Sequence, residues 1–443
     1  MSAVPNIPLQ GGDPLHAPMP APDAPQPMRF ADNGGAFVNL LMRGAFLELV
    51  TFGFYRFWLA TDIRRRLWGA TSIGGDAFEY TGRARELFVG FLIALAIIGP
   101  LAVVNFLLGI YAEKLQAFAS LPLGLFYFAF SQFAIFRARR YRLTRTIWRG
   151  VRFWMSGSGW LYAWKSFWWA MLVVITAGIA YPWRAAALER YKLGNSYYGD
   201  LQGGFVGTGG GLFRRVWWIW LLAMLPIALL FGFLIVSLAS AGGFFHAALP
   251  ASDTLMAARA ADTGFNDFMI GFSSIAVFLL LAVWLLAYPL FRASEWQWWA
   301  NGLRFGALSA SSNIRRRSVL WLYIKTMLMS GLVVTGVGIA LAFVAGVLAV
   351  VFHLQSGAFL HFGRGGLQFS SYLGLAGIVF GYLTLALAAL VVQRFYLQHE
   401  MWRLISGSLT INGLEAAANV AARGEAANAI GEGLADGLDV AGF

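Results

Sequence analysis

The chain alternates long apolar runs with short connections, many of which are strongly basic. Each run reaches the roughly 20 residues that a helix needs to cross about 30 Å of hydrocarbon. The eight runs cover about residues 36–60, 87–112, 117–138, 160–183, 216–241, 269–292, 319–353 and 371–396. This pattern predicts an all-α integral membrane protein, folded as a multi-pass helical bundle.

The end of the first apolar run recurs twice further along the chain. Residues 55–75 align without gaps on residues 393–413, a shift of 338 positions. Residues 53–88 align on residues 178–213, a shift of 125 positions. Self-similarity over such spacings is typical of repeated architectures. We therefore predict three membrane repeats between two loose tails.

The expected boundaries follow from these alignments and from composition. They are 1–35 for a disordered tail rich in Pro, Ala and Gly, 36–159 for repeat 1, 160–318 for repeat 2, 319–413 for a shortened repeat 3, and 414–443 for a flexible acidic tail. Within the last segment we expect a short helix over 414–422 that frays into the tail.

Each repeated stretch is predicted to start as a helix end and to continue into a tight turn. An acid and a base three or four positions apart form ion pairs on a helix. The expected pairs are Asp62 with Arg65 or Arg66, Glu189 with Lys192, Glu400 with Arg403, and Glu295 with Arg292. After Gly69 and Gly407 the sequences TSIGGDAFEY and LTINGLEA predict two short strands around a turn. We expect short cytoplasmic β-hairpins. Several of them could pair into one sheet under the membrane, although nothing in the sequence confirms such pairing.

The basic connections determine the expected topology, because Lys and Arg accumulate on the cytoplasmic side of a membrane. They cover about residues 61–86, 137–159, 184–215 and 292–317. The connections on both sides of run 160–183 are basic, although a full crossing would separate them. We therefore expect six full crossings, with runs 36–60 and 160–183 as interfacial or re-entrant segments and both termini in the cytoplasm. The alternative is eight full crossings.

Composition supports the membrane class and excludes several others. Only 12% of the residues are charged, against about 25% in soluble domains. The net charge of +12 lies beside apolar runs, so we assign it to membrane orientation and expect no nucleic-acid partner. The absence of cysteine excludes disulfides and thiolate chemistry. Residues 203–211 lack the Gly-Lys-Ser/Thr ending of a phosphate loop and are predicted to be a flexible linker. We expect no cofactor, no metal and no enzymatic activity.

Two stretches resemble a known family. NLLMRGAFLELVTFGFYRFWLATDIRRRLWGATSIGGDAFEYTGRARELFVGF begins at Asn39, and RRYRLTRTIWRGVRFWMSGSG begins at Arg139. Both are similar to signatures of the YjgN-like family of bacterial inner-membrane proteins, whose function is unknown. The resemblance implies a multi-pass protein of the bacterial inner membrane and brings no catalytic residues.

Ionisable residues within apolar runs are the usual indicators of function in a membrane protein. The candidates for intramembrane polar contacts are Arg43, Glu48, Lys165 and Lys325, with Gln393 as a further polar residue. Arg43 and Glu48 are close enough along one helix to pair with each other. The candidates for lipid-headgroup contacts are Arg64, Arg65, Arg66, Trp58 and Trp183.

Two functions are consistent with this pattern. Repeats, interrupted helices and re-entrant segments are features of transporters, which predicts a permease for a small solute. The arginine and tryptophan residues predict instead a non-transporting scaffold that binds anionic lipid or a partner at the cytoplasmic face. Membrane lipids are expected partners in both cases, and no pattern indicates the oligomeric state or the substrate.

Overall fold

Ten short strands close into one sheet in the computed structural model, which describes residues 24–241, 255–351 and 369–424. The strands are β1 (Gln26–Phe30), β2 (Thr71–Ile73), β3 (Asp76–Tyr80), β4 (Thr146–Trp148), β5 (Val151–Met155), β6 (Ser196–Tyr198), β7 (Leu201–Phe205), β8 (Leu303–Phe305), β9 (Leu308–Ser312) and β10 (Leu409–Asn412). Around the sheet, which we call the strand ring, the order is β1-β10-β9-β8-β7-β6-β5-β4-β3-β2 and back to β1, and every neighbouring pair is antiparallel. The prediction of short β-hairpins is therefore corrected: the strand pairs are parts of a single closed sheet, a pairing that the sequence left open.

Helices leave and return to the strand ring. They are α1 (Gly34–Val50), α2 (Arg56–Gly69), α3 (Ala84–Tyr111), α4 (Glu113–Thr144), α5 (Gly159–Ile175), α6 (Tyr181–Gly194), α7 (Gly209–Ala241), α8 (Leu255–Gly302), α9 (Arg316–Val351), α10 (Phe369–Gln393) and α11 (Met401–Ser408), with a π-helix at Arg394–Glu400 and a 3-10 helix at Leu414–Ala417. Among the described residues, six helical segments are long and apolar enough to cross a membrane: α3, α4, α7, α8, α9 and the continuous segment from α10 to α11.

Runs 36–60 and 160–183 each fold into two helices joined by a turn. The first forms α1 and α2, which begin after β1 and end before β2, and these strands are neighbours in the ring. The second forms α5 and α6 between the neighbouring strands β5 and β6. Each pair therefore leaves the ring and returns to it. This geometry fits the topology with six crossings and does not fit eight.

The tips of these two short helical hairpins have the same backbone structure. Gly53 and Gly178 have φ values of +88° and +91°, and the N–H of each donates to the carbonyl oxygen five residues earlier at 2.7 Å. Thr51 and Thr176 each donate a side-chain hydrogen bond to the carbonyl four residues earlier and accept one from the N–H four residues later. The tips thus satisfy these backbone groups without water, as a segment in hydrocarbon must.

Large apolar side chains fill the interior of the strand ring. Because side chains alternate between the two faces of a strand, the third residues of β2, β4, β6, β8 and β10 all point inward. These residues are Ile73, Trp148, Tyr198, Phe305 and Ile411, and they belong to one hydrophobic cluster. The ring is therefore a packed core, as expected for a barrel with few strands.

Both predicted tails contribute to this core. Residues 1–35 were expected to be disordered, but β1 lies within them and pairs with β10 and β2. A single strand without an adjacent partner gives little signal in sequence. The region 414–422 was expected to be a helix, but it forms only the 3-10 helix and then continues across the ring, where Ala417 and Val420 pack on the cluster.

The strand predictions around the turns have two different outcomes. TSIGGDAFEY forms β2 and β3 around Gly74 and Gly75, which have positive φ values, so that hairpin is confirmed. In LTINGLEA, the residues after Gly413 do not form a strand, because β1 from the other end of the chain occupies that place beside β10. We refer below to five strand pairs: β2–β3, β4–β5, β6–β7, β8–β9 and β10–β1.

The prediction of a flexible linker over residues 203–211 is also wrong. These residues form the end of β7 and the start of α7. A Cβ atom on Gly203 would lie 2.6 Å from the Leu193 carbonyl oxygen, and one on Gly209 would lie 2.7 Å from the Trp183 Cα atom. The glycines therefore permit close backbone packing. The division into repeats at 36–159, 160–318 and 319–413 stays a prediction.

Candidate functional site

A cavity of about 720 Å³ lies between the strand ring and the helices that are long and apolar enough to cross a membrane. We call it the central cavity. Its floor includes Met28, Phe78 and Phe153 from the strands, and Tyr288, Tyr323 and Leu390 line it among the spanning helices. Three of the five strand pairs, β10–β1, β2–β3 and β4–β5, contribute to its wall, together with neighbouring helices. The volume is within the range of small-molecule sites, about 300–1,000 Å³.

Aromatic rings form much of the wall. The indoles of Trp68 and Trp402 stack with their centroids 4.7 Å apart. The Trp68 N–H donates to Thr146 Oγ1 at 3.0 Å, and the Trp402 N–H donates to Thr71 Oγ1 at 2.8 Å. Because both indole donors are already used by threonines at the start of β4 and β2, the rings are fixed as apolar wall.

The guanidinium of Arg394 lines the cavity and forms a bidentate ion pair with Glu48. Both nitrogen–oxygen distances are 2.9 Å, and the Glu48 side chain is 2% exposed. Arg43, which the sequence allowed as a partner of Glu48, is exposed on α1, whereas Glu48 turns inward. Arg394 is the first residue of the π-helix, and π-helical turns are frequent at functional sites.

Arg292, the second guanidinium in the wall, pairs with Glu295 one turn later, as the sequence predicted. The Tyr181 hydroxyl donates to the other oxygen of Glu295 at 2.7 Å. Burial raises the pKa of Tyr181, and the charge of Glu295 raises it further, so the phenol stays a hydrogen-bond donor. Each of the two cavity arginines is therefore neutralised by its own carboxylate.

Two glutamines line the cavity on the segment formed by α10 and the π-helix. Gln393 is the polar residue noted in the sequence, and its side chain is exposed. Gln398 was not predicted. Its Oε1 atom is buried, and no described residue donates a hydrogen bond to it. A buried amide oxygen without a donor costs about 1–3 kcal/mol, and this atom is covered by the protein itself and is not open to the cavity.

Glu189 connects α6 with α4 and α8, two helices that contribute to the cavity wall. It pairs with Lys192 on α6, as predicted, and with Arg139 on α4 at 3.3 Å, and it accepts a hydrogen bond from the cavity residue Trp299 on α8 at 3.1 Å. Burial disfavours the charged carboxylate, but Lys192 and Arg139 outweigh burial and lower the pKa of Glu189 to about 2. The residue therefore joins three helices as an anion.

A second buried cluster joins the two ends of the described chain. His399 Nε2 lies 2.9 Å from Asp32 Oδ2, and His399 Nδ1 lies 3.1 Å from Glu400 Oε1. Arg66 also contacts Asp32, at 2.7 Å. The sequence predicted Asp62 as one partner for Arg66. It missed Asp32 because that residue lies in the segment expected to be disordered.

The structure places the remaining predicted candidates outside the cavity wall. Lys165 and Lys325 lie over the rings of Tyr191 and Tyr396, at 4.6 Å and 5.2 Å from the centroids. Arg64 contacts Tyr80, Arg65 contacts Asp62 and the Gly82 carbonyl, and Trp58 and Trp183 are 41% and 40% exposed at matched positions in α2 and α6. Their roles as polar or lipid contacts stay predictions. The remaining predicted ion pair, Glu400 with Arg403, is confirmed at 3.9 Å.

Comparison with known proteins gives a family and no function. The model of a family of bacterial proteins of unknown function, DUF898, matches residues 25–437. No curated protein and no solved structure matches the chain significantly.

Proposed function

Since the chain belongs to this YjgN family of bacterial proteins of unknown function, we propose from its structure that it is a permease of the bacterial inner membrane, which moves a small amphipathic solute through the central cavity. The observation that carries the proposal is the cavity itself. It combines a volume of about 720 Å³, aromatic walls and a few polar groups, which together are characteristic of small-molecule sites.

The position of the cavity supports transport. Its wall follows one helical segment from Leu390 on α10 through the π-helix to Ser406 on α11, and it reaches Leu409 on β10. Leu390 belongs to a helix that is long and apolar enough to cross a membrane, and Leu409 belongs to the strand ring. The cavity thus extends from the level of the spanning helices to the ring. In this proposal the apolar core of the ring is the closed gate.

The proposed orientation follows from charge. Eight of the ten strands lie in the four basic connections, and basic connections accumulate in the cytoplasm. We accordingly place the strand ring and both termini on the cytoplasmic side. The two short helical hairpins then enter the cytoplasmic leaflet and return.

The second candidate function, a non-transporting scaffold, is favoured by one surface. Trp160, Trp164 and Trp168 on α5 are each more than half exposed and flank Lys165. Such an aromatic and cationic strip suits a lipid–water interface. A scaffold needs the strip and the ring but no path through the cavity.

Accessibility from the two sides of the membrane separates these functions. The chain has no cysteine, so a single introduced cysteine is the only thiol that a maleimide can label. We would label Gln393→Cys, in the cavity, with a membrane-impermeant maleimide in right-side-out and inside-out vesicles. The control is Ala77→Cys, which is exposed on β3.

For a permease that alternates between two states, Gln393→Cys reacts from both sides, whereas Ala77→Cys reacts from one side only. If Gln393→Cys reacts from only one side, the central cavity is not on a transport path, and the scaffold function is the better one.

A further inference from the structure

We infer that the central cavity binds an amphiphile with an anionic head group, which is a phosphate or a carboxylate on an apolar body. This inference rests on the proposed function, because it specifies the class of solute that the cavity takes. The two arginines of the wall bind the head group, and the aromatic rings contact the body. A membrane lipid and a free solute can both supply this chemistry.

The charged side chains of the wall determine the sign of the ligand. Among the described residues that line the cavity, the charged ones are Arg292 and Arg394, and their partners Glu295 and Glu48 are not part of the lining. The arginine side chain is the more exposed partner in both pairs, with 18% for Arg394 against 2% for Glu48 and 36% for Arg292 against 15% for Glu295. Each ion pair therefore presents its positive end to the cavity.

Both guanidinium groups keep hydrogen-bond donors that their carboxylates do not use. A guanidinium has five N–H groups. Glu48 accepts from one N–H on each terminal nitrogen of Arg394, and Glu295 accepts from Nη1 of Arg292. A phosphate or carboxylate can accept from the other N–H groups while both ion pairs stay intact. Such charge-assisted hydrogen bonds from arginine are among the strong ones in proteins.

The carboxylates behind the arginines reduce the attraction for an anion and do not reverse it. The Coulomb energy between two charges falls as their distance grows. Because Arg292 and Arg394 line the cavity and their partners do not, an anion in the cavity is nearer to the positive charges than to the negative ones. A cation at the same place would be repelled by the same two groups.

The apolar body follows from the rest of the wall. The indole N–H groups of Trp68 and Trp402 are used by threonines, so these rings offer only their carbon surface. Phe78 and Phe153 add two further rings. A small inorganic anion would lose hydration against this surface without gaining partners. An apolar chain is stabilised there, because its surface is removed from water.

Two matched sets of probes separate charge from shape. The solute set is phenylpropionate and phenylpropionamide, which share their apolar body and differ in charge. The lipid set is dihexanoyl phosphatidylglycerol, which is anionic, and dihexanoyl phosphatidylcholine, which is zwitterionic. Inorganic phosphate tests the need for an apolar body. Dissociation constants at neutral pH and constant ionic strength, for the protein in an uncharged detergent, come from the dependence of its thermal unfolding on ligand concentration.

We expect the anionic member of at least one set to bind about tenfold more tightly than its partner, because a hydrogen bond to a charged group corresponds to at least that factor. Inorganic phosphate should bind more weakly than that anion. Glu48→Gln should tighten the binding of the anion, because it removes the opposing carboxylate and leaves Arg394 in the wall.

Removing both members of the pair should have the opposite effect. Glu48→Gln/Arg394→Gln, which keeps the net charge of the protein, should reduce the preference for the anion. The matched control is Asp76→Asn/Arg149→Gln, because this ion pair does not line the cavity, and its removal should leave the preference unchanged. The unfolding transition without ligand shows whether each variant is folded, and the comparison on the wild type decides if one is not.

The outcomes are distinct. Preference for the anion in the lipid set alone supports a lipid as ligand, preference in the solute set alone supports a free solute, and preference in both supports a site for either source. Absence of this preference from both sets overturns the inference, as does absence of binding by every probe. A preference that Glu48→Gln/Arg394→Gln leaves unchanged also overturns it, and so does inorganic phosphate that binds as tightly as the amphiphiles.

Transport and ligand class can fail separately. A preference for the anion together with one-sided labelling of Gln393→Cys retains the ligand class and refutes transport. Two-sided labelling without the preference retains transport and refutes this ligand class.

Discussion

Glu189 shows how one carboxylate can determine the arrangement of three helices. It lies on α6, between Arg139 of α4 and Trp299 of α8, and it is paired with Lys192 on its own helix. Trp299 also lines the central cavity, so the charge of Glu189 positions part of the cavity wall. This single anion links a short helical hairpin to two spanning helices.

The free energy of unfolding should therefore decrease at low pH, where Glu189 becomes protonated. Its folded-state pKa of about 2 is below its ordinary value of 4.5, so the ionised form stabilises the fold. The contribution, about 3 kcal/mol, is complete above about pH 4.5 and is lost as the pH falls toward 2. We expect Glu189→Gln to be less stable than the wild type at pH 7, with a difference that narrows below pH 4.5. Thermal unfolding at a series of pH values measures this difference. Glu79→Gln, on the exposed strand face, is the control, and a difference independent of pH would contradict the assignment.

The proposed re-entrant path depends on the tips of the short helical hairpins. Their bond pattern is a helix ending in which the N–H of the glycine reaches back to a carbonyl of the last turn. In such an ending, few polar backbone groups lack a hydrogen-bond partner, which a segment that enters hydrocarbon requires. The equivalence of the two tips also explains why residues 53–88 and 178–213 resemble each other at their starts.

Alanine substitutions test these tips. At Gly53 a Cβ atom would meet nothing within 4 Å, so Gly53→Ala should cost about 1–2 kcal/mol from its positive φ alone. At Gly178 a Cβ atom would also lie 3.2 Å from Trp220 Nε1, so Gly178→Ala should cost more. Gly69→Ala, in open space without positive φ, should stabilise α2 slightly. Unfolding in detergent ranks the three variants, and a neutral Gly178→Ala would contradict the tip structure.

At the scale of the whole molecule, the strand ring closes between the two ends of the described chain. Strand β1 pairs with β10, Asp32 contacts His399, and Glu48 contacts Arg394. Three separate interactions thus connect the first helices with the last ones. The central cavity depends on this closure, because Met28 and Arg394 both line it.

A disulfide tests the closure directly. Pro27 and Thr410 are directly paired across β1 and β10, and paired Cβ atoms in antiparallel strands are about 4.5–5.5 Å apart. We expect Pro27→Cys/Thr410→Cys to form an intramolecular disulfide under mild oxidation and to raise the unfolding temperature. Pro27→Cys/Ser309→Cys is the control, because β9 lies beyond β10 in the ring. Electrophoresis without reductant detects the linkage, and equal yields for both pairs would indicate that β1 is not held in this register.

Local features could be predicted from the sequence, and features that depend on ring closure could not. The spanning helices follow from run length, and the pairs of Glu189 with Lys192 and Glu400 with Arg403 follow from helical spacing. Strand β1 has partners only in distant parts of the chain, so its sequence looks like part of a tail. Arg394 and Gln398 line a cavity whose wall comes from three strand pairs and several helices distant in sequence, and no local pattern reveals that arrangement.

The closure between β1 and β10 also affects how the protein is made. Phe30 and Leu409 are 379 positions apart, so a ribosome that adds about 5–20 residues per second needs roughly 20–75 s to synthesise the intervening chain. During that time β1 lacks one of its neighbours, and the growing sheet has open edges that could pair with other chains. The ring therefore cannot close until β10 has been synthesised, and a chain that stops before β10 cannot complete the sheet.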